Sequence, residues 1–187
     1  NYTMSNNGTS SLTFPIGKAG DWNPLVLIAQ HNAVTAYTYK AELTNANANT
    51  LGYTEAATID TVSHVHYWDI NRVLTSTGVS APATNVSGTQ TITLYYQAND
   101  GVTDPTKLTI VKNTNAAPTT WFDIGGTGAT AGAGSVTSTS SPSTFNSYSR
   151  FTLANKIGGT NPLPIELISF TALKNDKQVD IKWETAT

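Results

Sequence analysis

One short segment of this sequence has the residue types and spacing that bind a metal ion. The segment "NDGVTDP" places Asp100 and Asp104 around Gly101, so two carboxylates gather at a glycine turn. Ca²⁺ prefers oxygen ligands of this kind, although the full spacing of a calcium loop and its bidentate Glu are absent. A hairpin turn stabilised by Asx hydrogen bonds explains the same residues more economically. The sequence therefore predicts no cofactor, and Ca²⁺ at Asp100 and Asp104 is kept only as a candidate.

A second segment, "HVHYWD", contains two of the histidines. On a β-strand, His64 and His66 would project to the same face, at a spacing that can place two imidazoles on one zinc ion. Asp69 has the opposite parity, and His31 is the only other histidine of the chain. Hydrogen bonds within a mixed polar face therefore explain the two residues better than a zinc site does.

The acidic residues do not form a recognisable catalytic motif. A glycosidase needs two carboxylates at a defined separation, and an α/β-hydrolase needs a Ser within a "GxSxG" turn, which the sequence does not contain. There is also no Cys to act as a nucleophile. The sequence predicts a protein that is not an enzyme, with scattered carboxylates at Glu42, Glu55, Asp60, Asp69 and Asp123.

The aromatic residues allow a different activity. Flat rings stack on the apolar faces of sugars, and Trp68, Tyr95 and Trp121 are the candidate platform for a carbohydrate. Aromatic residues in a charge-poor β domain are more often part of the core or of cross-strand pairs. Both interpretations remain open at the level of the sequence.

Composition restricts the class of partner. Charged residues make up 12% of the 187 residues and the net charge is −2, so clustered Lys and Arg for nucleic-acid phosphates are absent. No apolar run approaches the ~20 residues that cross a bilayer as a helix, so the chain is predicted not to span a membrane. Abundant Thr, Ser and Asn with little charge favour an extracellular location. The absence of Cys is compatible with either an oxidising or a reducing compartment.

The elements that must position these residues are predicted to be strands. Short runs with a period of two are separated by polar turns, and no segment keeps a helical period. This pattern predicts an all-β fold, an antiparallel β-sandwich of the jelly-roll or immunoglobulin-like type. The runs "TQTITLYYQ" and "TKLTIVKN" are predicted to pair as a hairpin, and "TVSHVHYWDINRVL" is predicted to form one strand.

A domain boundary is predicted near Thr160. Residues 1–160 would form the sandwich, and residues 161–187 a proline-stiffened linker with two strands, the second placing Val179, Ile181 and Trp183 on one face. Two strands alone are marginal in water. They must either pack on the preceding domain or begin a second module.

The C-terminal segment also carries a resemblance. "NPLPIELISFTA" followed by "VDIKWETAT" resembles a segment of secreted surface proteins of the Bacteroidetes, where it opens a fibronectin-III-like or immunoglobulin-like module, usually followed by a sorting domain for the type IX secretion system. The segments "FPIG", "HYWDINR", "WFDIGGTG" and "FTLA" are similar to the domain that often precedes it. The matching C-terminal residues are Pro162, Leu163, Pro164, Ile165, Glu166, Leu167, Phe170, Trp183, Thr185 and Ala186.

The resemblance implies a location and a kind of protein. It implies a non-catalytic, adhesin-like or structural module of a larger cargo protein, exported by the type IX machinery to the cell surface or outer membrane. Its partner there would be a surface glycan or protein. The alternative is a carbohydrate-binding accessory module of a secreted polysaccharide-degrading enzyme, and a component of the secretion machinery is a third possibility. Asp60, Thr61 and Val62 resemble the Bacteroidetes O-glycosylation motif, which makes Thr61 the candidate acceptor.

Overall fold

The fold is all-β, as the sequence predicts. The computed structural model describes residues 1–18, 20–32, 34–81, 90–113, 119–139, 148–163, 167–175 and 178–185. Within these ranges the helical segments are short 3-10 turns at Ala48–Leu51, Ala98–Asp100 and Pro105–Lys107. No helix of the described residues is long and apolar enough to cross a membrane.

The larger sheet, sheet 1, contains eight strands. In spatial order the main path is β1, β6, β9, β14, β11, β12 and β7, and β8 also pairs with β14. The pairs are antiparallel except β7 with β12, which is parallel. The strands are β1 (Tyr2–Met4), β6 (Tyr37–Thr44), β7 (Thr54–Glu55), β8 (Ile59–Val62), β9 (Tyr67–Leu74), β11 (Leu108–Asn113), β12 (Thr120–Asp123) and β14 (Arg150–Lys156).

The smaller sheet, sheet 2, contains four antiparallel strands in the order β13, β10, β5 and β2. Burial alternates regularly along β5, where Leu25, Leu27 and Ala29 are buried and the residues between them are half-buried. The strands are β2 (Gly8–Phe14), β5 (Leu25–His31), β10 (Thr91–Tyr96) and β13 (Gly134–Thr137), with a separate small hairpin of β3 (Gly17–Lys18) and β4 (Asp21–Trp22).

The main core lies between the two sheets. Apolar side chains from alternate positions of both sheets fill it, which is the way a β-sandwich buries its inner faces. Burying large aliphatic and aromatic side chains stabilises the fold by ~1.5–3 kcal/mol each. Among its members are Phe14, Leu25, Leu27, Tyr39, Trp68, Ile70, Ile92, Leu94, Tyr96, Ile110, Phe151 and Leu153.

A second apolar cluster covers part of the outer face of sheet 1. The chain from the end of β6 to the start of β8 folds back over this face and brings Ala48 and Ile59 against Val111 and Trp121. Strand β11 is therefore buried on both faces, and all of its residues are buried. The part of the outer face that carries Lys40, Glu42, Asp69, Asn71 and Arg150, on β6, β9 and β14, is polar.

Two strand predictions are wrong in the structure. Strands β10 and β11 do not form a hairpin, because β10 pairs with β5 and β13 whereas β11 pairs with β12 and β14. The 3-10 turns at Ala98–Asp100 and Pro105–Lys107 carry the chain from one sheet to the other. The predicted strand "TVSHVHYWDINRVL" is divided into β8 and β9 by an irregular segment at 63–66, and both parts pair with β14.

Asn161 and Leu163, which follow the boundary expected near Thr160, contact the sandwich. Asn161 is buried and its Oδ1 accepts hydrogen bonds from the backbone N–H groups of Thr103 and Asp104, at 2.9 and 2.6 Å. Leu163 is a member of the main core. The first residues of the predicted linker thus complete the sandwich.

The last two strands, β15 (Leu167–Asn175) and β16 (Gln178–Thr185), form an antiparallel hairpin. Phe170 lies opposite Trp183, and Ala172 lies opposite Ile181, so these side chains share one face of the hairpin. The predicted strand positions and the predicted common face of Val179, Ile181 and Trp183 agree with this register. The side chains described on both strands are exposed, and Trp183 is 65% exposed.

Candidate functional sites

The open part of the outer face of sheet 1 forms a polar groove. Glu42 on β6 lies directly opposite Asp69 on β9, and Asp69 lies opposite Arg150 on β14. Alternate side chains of a strand point to the same face, so all three side chains project from the outer face and lie side by side across the three strands. The groove has a volume of about 690 Å³, and Lys40, Asn71 and Ser149 also line it.

The charges in this groove are partly paired. Arg150 Nε lies 3.2 Å from Asp69 Oδ1, and the guanidinium group also donates a hydrogen bond to the Tyr53 hydroxyl and lies over the Tyr67 ring. Burial raises the pKa of Asp69, and the Arg150 charge acts in the opposite direction. Glu42 and Lys40 are exposed. The groove thus presents both hydrogen-bond acceptors and cationic donors to solvent.

A second polar cluster is buried where β9 begins, next to the 3-10 turn at Ala98–Asp100. His66, Asp100 and Asn23 are each at most 1% exposed. Asp100 Oδ2 accepts hydrogen bonds from the Gln97 backbone N–H at 2.6 Å and from Asn23 Nδ2 at 3.3 Å. The His66 ring packs edge-on against Trp68, with centroids 4.5 Å apart.

His66 and Asp100 face each other without a hydrogen bond. Nδ1 of His66 lies 3.4 Å from Oδ1 of Asp100, and neither atom has a hydrogen-bond partner in the described part of the chain. Burial lowers the pKa of His66 to about 4 and raises the pKa of Asp100 to about 6. At neutral pH the pair is consequently a neutral imidazole beside a carboxylate, rather than an ion pair.

The structure does not bring Asp100 and Asp104 together as the two ligands of one cation. Asp100 is fully buried, whereas Asp104 is partly exposed and its Oδ1 accepts hydrogen bonds from the backbone N–H and the hydroxyl of Thr106. These hydrogen bonds cap the 3-10 turn at Pro105–Lys107 and lower the pKa of Asp104. An Asx-stabilised turn, the simpler explanation of Asp104, fits its contacts.

The prediction that His64 and His66 project to the same face of one strand is wrong. His64 lies in the irregular segment between β8 and β9 and is half-buried, so it does not share a strand face with His66. Within the described ranges, no three His, Cys, Asp or Glu side chains gather around one point. The side chain that faces His66 is that of Asp100, which is distant in sequence and is brought near by the crossing of the chain between the sheets.

The proposed aromatic platform is contradicted for two of its three members. Trp68 is 0% exposed and Trp121 is 1% exposed, because each ring fills an apolar cluster on one side of sheet 1. Neither ring can stack on a sugar from solvent. Tyr95 is 37% exposed on sheet 2, and Trp22, which the sequence patterns did not single out, is 55% exposed.

Thr61, the candidate O-glycosylation acceptor, lies on β8 and is half-buried, and Asp60 beside it is exposed. The hydroxyl of Thr61 is 3.4 Å from the Val62 carbonyl oxygen. The glycosylation of Thr61 remains a prediction.

Sequence reasoning missed the residues that make the groove. Glu42, Asp69 and Arg150 are far apart in the chain, and only the register between β6, β9 and β14 shows that they share a row. The alternation of Lys40 and Glu42 with Tyr39 and Leu43 was the available signal, since it marks a wet face on β6.

Comparisons with known proteins give no relative of this chain. No family model matches the sequence, no curated protein matches it, and no solved structure matches the fold significantly.

Proposed function

We propose that the chain is a non-catalytic, adhesin-like module of a larger extracellular protein, with the hairpin β15–β16 as the first two strands of a second β-sandwich. The observation that carries this proposal is the exposed apolar face of the hairpin. Phe170 and Trp183 are 59% and 65% exposed as a cross-strand pair. An amphipathic hairpin of this kind needs a second layer, which a following module would supply.

The location is part of the same proposal. The resemblance of residues 161–187 to type IX secretion cargo supports export to the cell surface or outer membrane by that machinery, and low charge supports an extracellular location. Fractionation of the source cells, with an antibody against the sandwich, tests this. We expect the protein in the outer membrane or the medium, and a purely cytoplasmic signal would contradict the proposal.

The gene supplies an independent test of the architecture. We expect the full reading frame to encode further β modules and a sorting domain after the hairpin. A reading frame that encodes neither would count against both the module and its route of export.

The groove on sheet 1 supports a second candidate function, carbohydrate binding. Carboxylates and cationic groups lie side by side at Glu42, Asp69, Lys40 and Arg150, and the tyrosine rings of Tyr53 and Tyr67 lie next to Arg150. Sugar hydroxyl groups donate to carboxylates and accept from cationic groups, and charge-assisted hydrogen bonds are stronger than neutral ones. A neutral glycan fits this mixture better than an anion does.

Retention on insoluble polysaccharides and a glycan array tests the second candidate. A double variant with Glu42→Gln and Lys40→Ala changes only exposed groove residues. A second double variant, with Asp60→Asn and Lys18→Ala, is the control at exposed positions outside the groove. We expect a loss of roughly tenfold or more in affinity for the groove variant and no change for the control. Absence of retention by the unmodified chain would leave a protein-binding or spacer module.

The absence of catalysis needs its own experiment, because Glu42 and Asp69 are cross-strand neighbours. Directly opposed residues have Cβ atoms ~5 Å apart, which approaches the carboxyl separation of retaining glycosidases. We expect no turnover of aryl glycosides, since the Asp69 carboxylate is held by Arg150. Turnover that Glu42→Gln abolishes would make the protein an enzyme.

A further inference from the structure

The buried polar cluster contains several polar atoms that nothing in the described structure satisfies. Both ring nitrogens of His66, Oδ1 of Asp100 and Oδ1 of Asn23 are buried without a hydrogen-bond partner in the described residues. Buried polar groups in folded proteins are normally paired, because an unpaired one costs ~1–3 kcal/mol. Four such atoms on three neighbouring side chains point to an occupant.

The charge of the cluster indicates what this occupant is. Asp100 is fully buried, and a second carboxylate, that of Asp21, lies against the amide of its neighbour Asn99. The side chain of Asp21 is bonded to the amides of Asn99 and Asn45. Buried carboxylates are normally paired with a cation or coordinate a metal. A bound cation would neutralise the carboxylates and use the lone pair of His66.

The distance between His66 and Asp100 fits a shared cation. A histidine and a carboxylate that share a hydrogen bond approach to ~2.7–2.9 Å. Two ligands of one tetrahedral zinc-like ion, each at ~2.0–2.1 Å from it, are about 3.4 Å apart. The separation of Nδ1 and Oδ1 is 3.4 Å.

We infer that His66 and Asp100 bind a buried divalent transition-metal cation of the zinc class, with Oδ1 of Asn23 as the next oxygen donor in the cluster. An imidazole ligand favours such ions over Ca²⁺ and Mg²⁺, which take oxygen ligands. The set of protein ligands is small, and water would complete the coordination. Binding is therefore weaker than at four-ligand structural zinc sites. The site also differs from the Ca²⁺ site expected from the sequence, since Asp104 has no part in it.

Titration calorimetry and thermal unfolding of the untagged, chelator-treated full chain test the inference. We expect one Zn²⁺ or Co²⁺ ion per chain, and a rise in Tm of roughly 5–10 °C at a hundredfold excess of Zn²⁺ over Kd. Bound Co²⁺ should show the visible absorption of a tetrahedral site. Absence of binding, or an equal rise in Tm with Ca²⁺, would overturn the inference.

The matched variants are Asp100→Asn and His64→Gln. Asn at position 100 keeps an oxygen acceptor for the Gln97 backbone N–H but removes the charge, so we expect Zn²⁺ affinity to fall at least tenfold. His64→Gln alters the other histidine of "HVH" and should bind Zn²⁺ like the unmodified chain. Undiminished binding by a folded Asp100→Asn chain would mean that the ion binds elsewhere.

A crystal of the unmodified chain grown with Zn²⁺ keeps the inference testable if Asp100→Asn does not fold. We expect one anomalous peak within bonding distance of His66 and Asp100. An anomalous peak only at other residues, or ordered water alone between the two side chains, would overturn the inference.

Discussion

Tyr39 holds together a polar network inside the sandwich. Its hydroxyl lies 2.6 Å from Nε2 of His31, and it also forms hydrogen bonds with Tyr148 and Arg72. Arg72 is 1% exposed, with its guanidinium carbon 3.7 Å from the centre of the Tyr37 ring. A buried guanidinium is tolerated because aromatic faces and hydroxyl groups replace its hydration.

The network makes the Tyr39 hydroxyl important for stability. We expect Tyr39→Phe to lower the free energy of unfolding by about 1–3 kcal/mol, because buried polar partners lose a hydrogen bond. Urea denaturation measures the change. Tyr95→Phe, at an exposed tyrosine of sheet 2, is the matched control and should remain within about 0.5 kcal/mol of the unmodified chain. Equal effects of the two substitutions would mean that the hydrogen bonds of Tyr39 add nothing to the free energy of unfolding.

His31 makes stability depend on pH. Burial lowers the pKa of His31 to about 4 in the folded chain, from a value of ~6.5 in the unfolded chain. Between these values the unfolded state binds the extra proton, so the free energy of unfolding falls as the pH falls from ~6.5 to ~4. The largest loss from this residue is about 3 kcal/mol. His66 acts with the same sign.

The variant His31→Gln separates the contribution of this residue. Its amide can still bond the Tyr39 hydroxyl but does not titrate, so the curve of unfolding free energy against pH should become flatter between pH 4 and pH 6.5. Denaturant titrations at four or five pH values measure the slope. A slope identical to that of the unmodified chain would assign the pH dependence to other groups.

Trp68 shows what sequence can decide at the scale of residues. The period of two places Trp68 with Ile70 on one face of β9, and the structure confirms that both are buried. Periodicity does not say which face meets the other sheet. The aromatic residues offered as a sugar platform were therefore ambiguous until the second sheet was placed.

At the scale of elements, the sequence does not predict that the chain crosses from one sheet to the other between β10 and β11. The runs and the turn between them are correctly located, but adjacency in sequence favours a hairpin. The connection instead contains two 3-10 turns, and the buried Asp100 of the first turn lies against Asn23 and His66. Strand positions follow from local pattern, whereas sheet assignment depends on contacts between distant parts of the chain.

Asn161 fixes this crossing to the end of β14. Besides accepting bonds from the N–H groups of Thr103 and Asp104, its Nδ2 donates to the Asp104 carbonyl oxygen and to Asn155 Oδ1, at 3.0 and 2.8 Å. We expect Asn161→Ala to lower the free energy of unfolding by about 2–3 kcal/mol, because buried partners on both segments lose their bonds. Urea denaturation measures it, with Thr160→Ala at the exposed neighbour as the control. A loss below about 0.5 kcal/mol would show that water replaces the amide.

At the scale of the whole molecule, the sandwich and the hairpin should differ in their contribution to stability. A chain that ends at Leu163 keeps the core residue Leu163 and the bonds of Asn161, whereas a chain that ends at Thr160 loses both. We expect the first chain to unfold with the Tm of the full chain, because the described side chains of the hairpin are exposed. We expect the second to be less stable by about 3 kcal/mol or more. Calorimetry measures the Tm of each chain. Equal Tm values for the two shortened chains would show that the folded sandwich ends at Thr160.

The sequence predicted the all-β class and most strands, because these follow from periodicity and turn residues. The groove and the His66–Asp100 cluster were not predicted, since each joins residues from three separate parts of the chain. The parallel pair of β7 and β12 also lies outside what local patterns reveal.

The position of β14 in sheet 1 determines the order in which the chain is able to fold. Strands β1, β6 and β9 lie on one side of β14, and β11, β12 and β7 lie on the other. Residues 150–156, which leave the ribosome after the rest of this sheet, are the only described strand that joins the two halves. Contacts between distant parts of a chain slow folding. A chain emerging from its N-terminus therefore carries two half-sheets with open edges until its late central strand arrives.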